Sequence, residues 1–388
     1  MDFELTTEQK MLKRALREFA EKEIAPLVDE AEEKEKFPAQ ILPKMASLGY
    51  LGIAYPPECG GVDETENKSI RGINECIWYE EMARVSPGIA FGIQCAAVGT
   101  PGYVLRDNGN EEQKQKYLVP CIKNGEKIGA IAITESEAGS DIASMKTTAI
   151  KKNHTYILNG SKTFISGGNI ADFIVVVAYT DKSKGIRGGV SLLILDKGTP
   201  GFEIGQKFVK IGHRATENAE LLFTDCHIPE ENLIGVEGKG WYQLMGTLNA
   251  VRVGDSARAV GTAQAAYEAA LAYAKERVQF GQPIGKFEGV SFKLARMHMR
   301  IEAARLLTYN AAWALGEEKD ARLEVSTARL YAAEVVREVT TEAMQTFGGY
   351  SFMVDSPLQR YWRDAYLFYF GYGTEEIQKV IISRAIGL

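Results

Sequence analysis

The chain is poor in cysteine and histidine, and this shortage excludes two classes of protein. Its five cysteines are scattered, with no Cys-x-x-Cys pair: Cys59, Cys76, Cys95, Cys121 and Cys226. An odd number of unclustered cysteines argues against a disulfide scaffold, and four histidines are too few to complete a metal site. We interpret the cysteines as structural thiols, with Cys95 of interest for its neighbours, and expect no metal.

An excess of positive charge and a long apolar run are also missing. The net charge is -6 and the isoelectric point is about 5.6, so no basic surface for nucleic acid is expected. We find no apolar run that approaches the roughly 18 to 20 residues of a membrane span, and the N-terminus lacks the pattern of a signal peptide. The sequence predicts a cytoplasmic protein with no nucleic-acid or membrane partner.

The chain has enough apolar residues for more than one hydrophobic core. The spacing of these residues differs among three regions. The chain has 388 residues, of which 45% are hydrophobic. Residues 1–120 show helical spacing, residues 121–232 show short β-rich runs, and residues 233–388 return to long Ala-rich helical segments. We therefore predict an α+β fold with an N-terminal α-helical domain, a central antiparallel β-domain and a C-terminal four-helix-bundle domain.

Individual elements can also be predicted. Thr6 or Thr7 is a plausible N-cap of the first helix, and Asn159-Gly160 is a strong hairpin signal. The predicted N-terminal helices include residues 70–83 and 111–118. The predicted strands are residues 128–133, 155–158, 173–177, 190–195 and 219–223. The predicted C-terminal helices are residues 244–276, 286–315, 322–346 and 374–386.

The most informative segment is residues 363–378, which read Arg-Asp-Ala-Tyr-Leu-Phe-Tyr-Phe-Gly-Tyr-Gly-Thr-Glu-Glu-Ile-Gln. This segment resembles the Arg-Asp-Ala…Glu-Gly-Thr…Ile-Gln signature of the flavin-dependent acyl-CoA dehydrogenases. In most of that family a glutamate removes the proton next to the thioester carbonyl, and Tyr372 stands at its position. A tyrosine with an ordinary pKa near 10 is protonated at neutral pH and cannot simply replace that carboxylate.

Two further segments resemble the flavin site of this family. Residues 134–141 read Thr-Glu-Ser-Glu-Ala-Gly-Ser-Asp, after a strand, and residues 162–168 read Lys-Thr-Phe-Ile-Ser-Gly-Gly. The resemblance implies that Phe164 covers one flavin face and that Ser166 offers a hydroxyl to N5. Alternatively, both segments are ordinary strand ends with glycine turns. The residues implied to bind FAD here are Ile131, Ala132, Ile133, Thr134, Gly139, Ser140, Phe164, Ile165 and Ser166, with Ser140 also placed near the CoA arm.

The C-terminal region resembles the family at the elements that reach a neighbouring subunit's FAD. Residues 276–281 match Glu-Arg-x-x-Phe-Gly, and residues 345–349 match Gln-x-Phe-Gly-Gly. Arginine suits a pyrophosphate because its planar guanidinium forms paired bonds. The residues implied are Arg277, Phe280, Gln345, Gly348, Gly349, Thr374 and Glu376. Because these contacts cross subunits in the family, the resemblance implies a homotetramer.

The resemblance also outlines an acyl-CoA site. It places Asn249 on the pantetheine arm and makes Arg252 a structural arginine. Val251 occupies the second known position of the catalytic glutamate, so that position is also empty. The remaining residues assigned to the substrate pocket are Phe91, Cys95 and Gly373.

The missing base leaves several alternatives. Asp255 lies one helical turn after Val251 and could serve as the base, or it could be an exposed or ion-paired helix residue. The substrate could instead undergo 1,4-elimination, or expel sulfinate or CO₂ without net oxidation. A catalytically silent flavin-binding protein is the remaining alternative. We favour an FAD-dependent acyl-CoA dehydrogenase that acts on an unusual CoA thioester, cyclic or unsaturated, with Asp255 and Tyr372 in the catalytic site and an electron-transfer flavoprotein as partner.

Overall fold

The computed structural model describes residues 4–62, 65, 67–317 and 320–388. Helices precede and follow a single large sheet in the chain, which confirms the predicted α+β class and its order of a helical, a β and a second helical region. The first helical region ends at Asn124, the strands extend from Gly129 to Ile234, and the second helical region begins at Gly240.

The N-terminal region consists of α-helices joined by short turns, several of them π-helical. Thr6 caps the first helix: its side chain accepts from Gln9 N at 3.2 Å, and the Gln9 side chain accepts from Thr6 N at 3.1 Å. The α-helices are α1 (Thr7–Phe19), α2 (Val28–Lys34), α3 (Ile41–Ser47), α4 (Lys68–Val85), α5 (Pro87–Ile93), α6 (Thr100–Asn108) and α7 (Glu111–Gln113). The π-helical turns are Ala20–Ile24, Gln94–Val98, Lys114–Leu118 and Pro120–Asn124.

The central sheet is mixed, so the prediction of an antiparallel domain was wrong in part. The strands are β1 (Gly129–Ala132), β2 (Thr148–Lys152), β3 (Thr155–Ser166), β4 (Phe173–Tyr179), β5 (Val190–Asp196), β6 (Phe202–Lys207), β7 (Asn218–Pro229) and β8 (Leu233–Ile234), with a short helix α8 (Gly185–Gly189) before β5. Their order is β6-β7-β3-β2-β4-β5-β8, with β1 beside β4. Strand β4 pairs in parallel with β1 and β2, because other strands intervene in the chain and neither strand is joined to β4 by a hairpin turn.

The hairpin predicted at Asn159-Gly160 was also wrong. Strand β3 continues through both residues, and its register to β7 shifts between Leu158 and Gly160, where Gly160 has a φ of 136°. The turn instead lies six residues earlier, between β2 and β3, where Asn153 has a φ of 55°. Gly160 therefore forms a bulge inside strand β3. A glycine at a bulge gives the same local sequence signal as a glycine at a turn.

The C-terminal region is built on three long helices and shorter ones that pack on them. Its helices are α9 (Gly240–Glu276), α10 (Glu288–Gly316), α11 (Arg322–Phe347), α12 (Pro357–Ala365) and α13 (Glu375–Ala385). A two-stranded hairpin, β9 (Val278–Gln279) and β10 (Gln282–Pro283), joins α9 to α10. Helix α4 of the N-terminal region packs on α9 and α10, so the two helical regions share an interface.

One hydrophobic cluster spans the N-terminal helices, one side of the sheet and the first half of α9. The helical stretch of residues 87–108, within the described residues, is long and apolar enough to cross a membrane by length and composition, contrary to our reading of the sequence. Its apolar window is entirely buried against this cluster, as expected for a core helix of a folded protein. Tyr372 packs on the edge of the same cluster, where the three regions meet.

Candidate active site

The loop that carries Tyr372 has an uncommon backbone conformation. Tyr372 has a φ of 55°, and Gly373 after it has a φ of 100°. Two arginines hold the loop by its carbonyl groups: Arg252 Nε donates to Tyr372 O at 3.2 Å, and Arg329 Nη2 donates to Gly371 O at 3.0 Å. A left-handed conformation costs a residue with a side chain about 1–2 kcal/mol, so these contacts fix a backbone that tyrosine alone would not favour.

The Tyr372 side chain lies against residues of the N-terminal region. Its hydroxyl is 3.8 Å from Cys95 Sγ, and its ring meets that of Phe91 edge to face, with centroids 6.4 Å apart. Burial, and next the Cys95 thiol, raise the pKa of Tyr372 well above its ordinary value. Burial also raises the pKa of Cys95 to about 11. Both groups are therefore protonated at neutral pH, and neither is a ready proton acceptor.

Asp255 is buried and ion-paired rather than open to a pocket. It is 1% exposed; Oδ1 accepts a hydrogen bond from Arg258 Nη2, and Oδ2 lies 2.9 Å from Arg329 Nη2, without hydrogen-bond geometry. Arg329 is the residue that also holds Gly371. This geometry matches the ion-paired alternative, because each carboxylate oxygen faces a guanidinium group.

Arg258 is enclosed by rings. Its guanidinium carbon lies 4.5 Å from the centroid of Phe91 and 4.7 Å from that of Phe368. Its Nη1 lies 3.5 Å from Nδ1 of His213, whose pKa is lowered well below the ordinary value by burial and then by Arg258. Because Arg258 is fully buried and paired with Asp255, it offers no open cation to a ligand.

A buried ion pair fixes the loop after β1. The Glu135 carboxylate accepts from Thr147 N at 3.0 Å and from Lys162 Nζ at 2.9 Å, and Lys162 also donates to Ile133 O at 2.8 Å. Burial lowers the pKa of Lys162 to about 8, whereas the pKa of Glu135 is lowered because Lys162 and Thr147 outweigh the effect of burial. The lowered pKa of Lys162 weakens its charged form, whereas the lowered pKa of Glu135 favours the carboxylate. With these pKa values both groups are ionised at pH 7.

The element after Lys162 presents an aromatic ring at the surface. Phe164 is 62% exposed with a φ of 58°, and its ring packs on Phe208 at 5.0 Å. Asn218 Nδ2 donates to Phe164 O at 3.0 Å and lies 3.4 Å from Ser166 Oγ. Burial raises the pKa of Cys95, and the Ser166 hydroxyl is among the groups that oppose this rise. The predicted flavin element therefore lies near the Tyr372 site.

The other residues predicted at this end of the sheet fall into two groups. Ala132 and Ile165 have buried side chains, Ile131, Ile133 and Thr134 are half-buried, and Thr134 O accepts from Thr163 N at 2.8 Å. Gly139 and Ser140 are exposed, and a Cβ added at Gly139 would meet nothing within 4 Å. The first group can contribute backbone atoms and the second has room beside it for a ligand.

A groove of about 590 Å³ brings together the two C-terminal motifs. It is lined by Arg277, Gln345, Gly348 and Gly349, among others. A Cβ added at either glycine would have nothing within 4 Å, and Gly348 has a φ of 63°. A cation beside bare glycine backbone fits a pyrophosphate, which the resemblance assigns to these residues.

The remaining predicted residues lie around these sites. Val251 is fully buried, and the Asn249 side chain accepts from Arg252 Nη1 at 3.3 Å. Phe280 is 94% exposed beside the groove, and Glu376 is exposed. Thr374 caps α13, accepting from Ile377 N at 3.4 Å. Their ligand contacts stay predictions.

Four residues of this site escaped the sequence analysis: Glu135 and Arg329 as anchors of loops, and Arg258 and His213 beneath Phe91. Glu135 lies within the segment 134–141 but was not singled out there, and the other three match no motif position. Arg258 pairs with Asp255 three residues earlier, whereas Glu135, Arg329 and His213 contact residues distant in sequence. The available signal was a charged or polar residue within an apolar stretch of helix or strand. Such a residue is expected to be buried and therefore to need a partner.

Domain profiles of one family match almost the whole chain. They are the acyl-CoA dehydrogenase N-terminal domain over residues 6–125, middle domain over residues 130–226 and C-terminal domain over residues 238–387. The chain belongs to the acyl-CoA dehydrogenase family. It is therefore an oxidoreductase acting on CH–CH bonds of CoA thioesters, with FAD as cofactor.

Relatives with both dehydrogenase and reductase names resemble the full length of the chain. It is 42% identical over 386 residues to a short-chain-specific acyl-CoA dehydrogenase from Clostridium acetobutylicum, covering 100% of both chains. It is 38% identical to the caffeyl-CoA reductase-Etf complex subunit CarC of Acetobacterium woodii, covering 97% of each. Among solved structures, butyryl-CoA dehydrogenase from Megasphaera elsdenii is 40% identical, with a TM-score of 0.94 and 100% coverage of both chains.

Proposed function

We propose that this chain transfers hydrogen between FAD and an unusual CoA thioester, cyclic or unsaturated, without a carboxylate at the family's catalytic position. The observation that carries the proposal is the Tyr372 site. A neutral phenol contacts a neutral thiol there, and Val251, at the second known position of the base, is apolar and fully buried. Removal of a positioned general base typically lowers a rate by about 10²–10⁴, so an ordinary saturated acyl-CoA would be a poor substrate.

The residues present fit FAD. Exposed Phe164 offers a ring for stacking, and the groove around Arg277, Gly348 and Gly349 offers a cation and open backbone. FAD, when bound, supplies the hydride acceptor or donor. The chain's own contribution is to hold the ring between Phe164 and the Ser166 hydroxyl and to enclose the thioester at the junction of the three regions.

Asp255 is the base suggested by the sequence, and its contacts support a different role. We assign it as a positioning residue: it pairs with Arg329, which in turn holds the carbonyl of Gly371 before Tyr372. The carboxylate thereby neutralises part of the positive charge of Arg258 and Arg329 beneath the site. It orients the Tyr372 loop without contacting the substrate.

The assembly follows from the same proposal. The Arg277 groove opens on the surface of the chain and is separate from the Tyr372 site, so we propose that it binds the FAD of a second copy within a homotetramer. We also propose an electron-transfer flavoprotein as redox partner. The supporting observation is the relative CarC, which is named as a subunit of a complex with Etf.

The test is anaerobic mixing of the FAD-loaded protein with a panel of CoA thioesters. Saturated and cyclic acyl-CoAs are added to the oxidised protein, and enoyl-CoAs to the dithionite-reduced protein. We expect at least one thioester to change the flavin absorbance stoichiometrically, with gain or loss of one carbon–carbon double bond by mass spectrometry. Turnover with the flavin unchanged and no change in double bonds would contradict the proposal.

A further inference from the structure

Two protonated groups, a phenol and a thiol, lie at the position where dehydrogenation of an acyl-CoA would need a proton acceptor. The Tyr372 hydroxyl and the Cys95 thiol lie 3.8 Å apart, on segments 277 residues apart in sequence. Cys95 belongs to the π-helical turn Gln94–Val98, an irregularity that often marks functional sites. Burial raises the pKa of Cys95, and the Tyr372 and Ser166 hydroxyls are among the groups that oppose this rise. Tyr372 and Cys95 thus form a polar pair in an apolar junction.

The Tyr372–Cys95 pair lies near the predicted flavin element, because Ser166 of that element is among the groups that act on the Cys95 thiol. Ser166 follows the exposed ring of Phe164, and Asn218 contacts both residues. Phe91 meets the Tyr372 ring edge to face. The left-handed backbone, held by Arg252 and Arg329, aims the phenol at this junction instead of at solvent.

The surroundings keep the phenol protonated. The titratable and charged groups that act on the Tyr372–Cys95 pair are Tyr79 from α4, Asp255 and Arg258 from α9, and Arg329 from α11. Burial and Asp255 oppose a phenolate, while Arg258 favours one. The Tyr372 hydroxyl is therefore neutral at rest. The buried Arg258 guanidinium favours the phenolate that forms transiently when the proton is transferred.

Resting on the function proposed above, we propose that Tyr372 is the proton donor of an enoyl-CoA reduction, with Cys95 orienting its hydroxyl. FAD, when bound and reduced by an electron-transfer flavoprotein, would supply the hydride that Cβ of an α,β-unsaturated thioester needs. As the carbon–carbon π bond breaks, the Tyr372 hydroxyl would deliver its proton to Cα. The phenolate then regains a proton from water. A strong carbanion accepts a proton readily from a phenol, whereas the reverse step would require a phenolate at the outset.

The first experiment is a single turnover in D₂O. Dithionite-reduced, FAD-loaded protein is mixed with crotonyl-CoA and with cyclohex-1-ene-carbonyl-CoA, and the position and face of deuterium at Cα are read by NMR. We expect one deuteron at Cα on a single face. Tyr372→Phe should slow reduction roughly 10²–10⁴-fold and scramble that face. Tyr242→Phe, at a 55% exposed ring, is the matched control and should behave as the native protein.

Cys95 is tested by a conservative pair of variants. Cys95→Ala removes the contact to the Tyr372 hydroxyl and should slow the reduction about three- to tenfold, the equivalent of one hydrogen bond. Cys95→Ser retains a donor and should restore most of the rate. FAD content should be retained in both variants, whereas Cys95→Ala should lower the unfolding midpoint slightly because loss of the buried sulfur leaves a small cavity.

The experiments distinguish a failure of the proton-donor role of Tyr372 from a failure of the proposed function. Reduction by Tyr372→Phe at the native rate, with deuterium on the same face, would overturn the donor role while leaving an enoyl-CoA reductase. Oxidation of saturated thioesters by the native protein, with no reduction of any enoyl-CoA, would overturn the donor role and leave a dehydrogenase. No reaction in either direction would remove both proposals.

Discussion

At the scale of single residues, the site is decided by which charged groups are buried and what they contact. Arg252, Arg258 and Arg329 lie beneath the Tyr372 loop with one carboxylate, Asp255, among them. Unpaired buried charge is costly, so each of these contacts constrains the others. The active loop is therefore positioned by an ion-pair network that no local motif reveals.

Replacing Asp255 tests this network. Asp255→Asn leaves Arg258 and Arg329 without a counter-charge in the interior, and we expect it to lower the free energy of unfolding by about 3–5 kcal/mol. Urea unfolding monitored by circular dichroism is the measurement. The control is Asp29→Asn, whose side chain is 99% exposed beside Arg360 and should change stability by less than about 1 kcal/mol. Equal stability of the two variants would contradict the network.

Glu75 makes stability depend on pH. Burial raises its pKa from 4.5 to about 8, against the opposing charge of Arg106. Between these pH values the unfolded chain has released this proton and the folded chain retains it, so stability falls as pH rises from about 4.5 to 8. Glu75→Gln should reduce this decline, whereas Glu58→Gln, at an exposed site, should not. Parallel pH profiles for native protein and Glu75→Gln would refute the assignment.

At the scale of elements, periodicity predicted most helices and many strands, but not the irregularities. The helix predicted over residues 70–83 is α4, and those over 244–276 and 322–346 are α9 and α11. Strands β2 and β6 were missed because β2 is short and polar and β6 is mostly exposed. Local composition carries little signal where a strand buries few residues.

Glycine at position 160 illustrates the same limit and can be tested. Gly160 has a φ of 136°, and an added Cβ would lie 2.8 Å from Thr147 Cα. Gly160→Ala should therefore lower the free energy of unfolding by about 1–3 kcal/mol or more. In Gly289→Ala, within α10 and with open space around the Cβ, stability should be unchanged or should rise by up to about 1 kcal/mol. Thermal unfolding compares the two, and a neutral Gly160→Ala would contradict the bulge.

At the scale of the whole molecule, the motifs identify the family and the contacts between domains define the site. The segments around residues 134, 164, 277 and 372 could be recognised one by one. The contact of Tyr372 with Cys95, and the ion pair of Asp255 with Arg329, join residues that no spacing rule connects. The sequence therefore placed Tyr372 at the base position, assigned Cys95 to the pocket and allowed an ion pair for Asp255. It did not predict that the phenol and the thiol meet, or which arginines Asp255 contacts.

Assembly should control cofactor retention. If the groove around Arg277 binds the pyrophosphate of a neighbouring copy's FAD, Arg277→Gln should lose FAD on gel filtration while remaining folded. The native protein should elute as a tetramer with one FAD per chain. Lys275→Gln, an exposed cation two residues earlier, is the control and should retain FAD. Full FAD retention by Arg277→Gln would exclude this role.

Tyr372 occupies the position of the family's base without acting as one, and hydrogen exchange at Cα of a saturated thioester tests this. Butyryl-CoA is incubated in D₂O with native protein and with Tyr372→Glu, both loaded with FAD, and deuterium exchange at Cα is followed by mass spectrometry. We predict slow exchange by the native protein and exchange faster by roughly 10²–10⁴-fold in Tyr372→Glu, accompanied by bleaching of the flavin. Exchange by the native protein as fast as by Tyr372→Glu would mean that Tyr372, or another group of the native site, does act as the base.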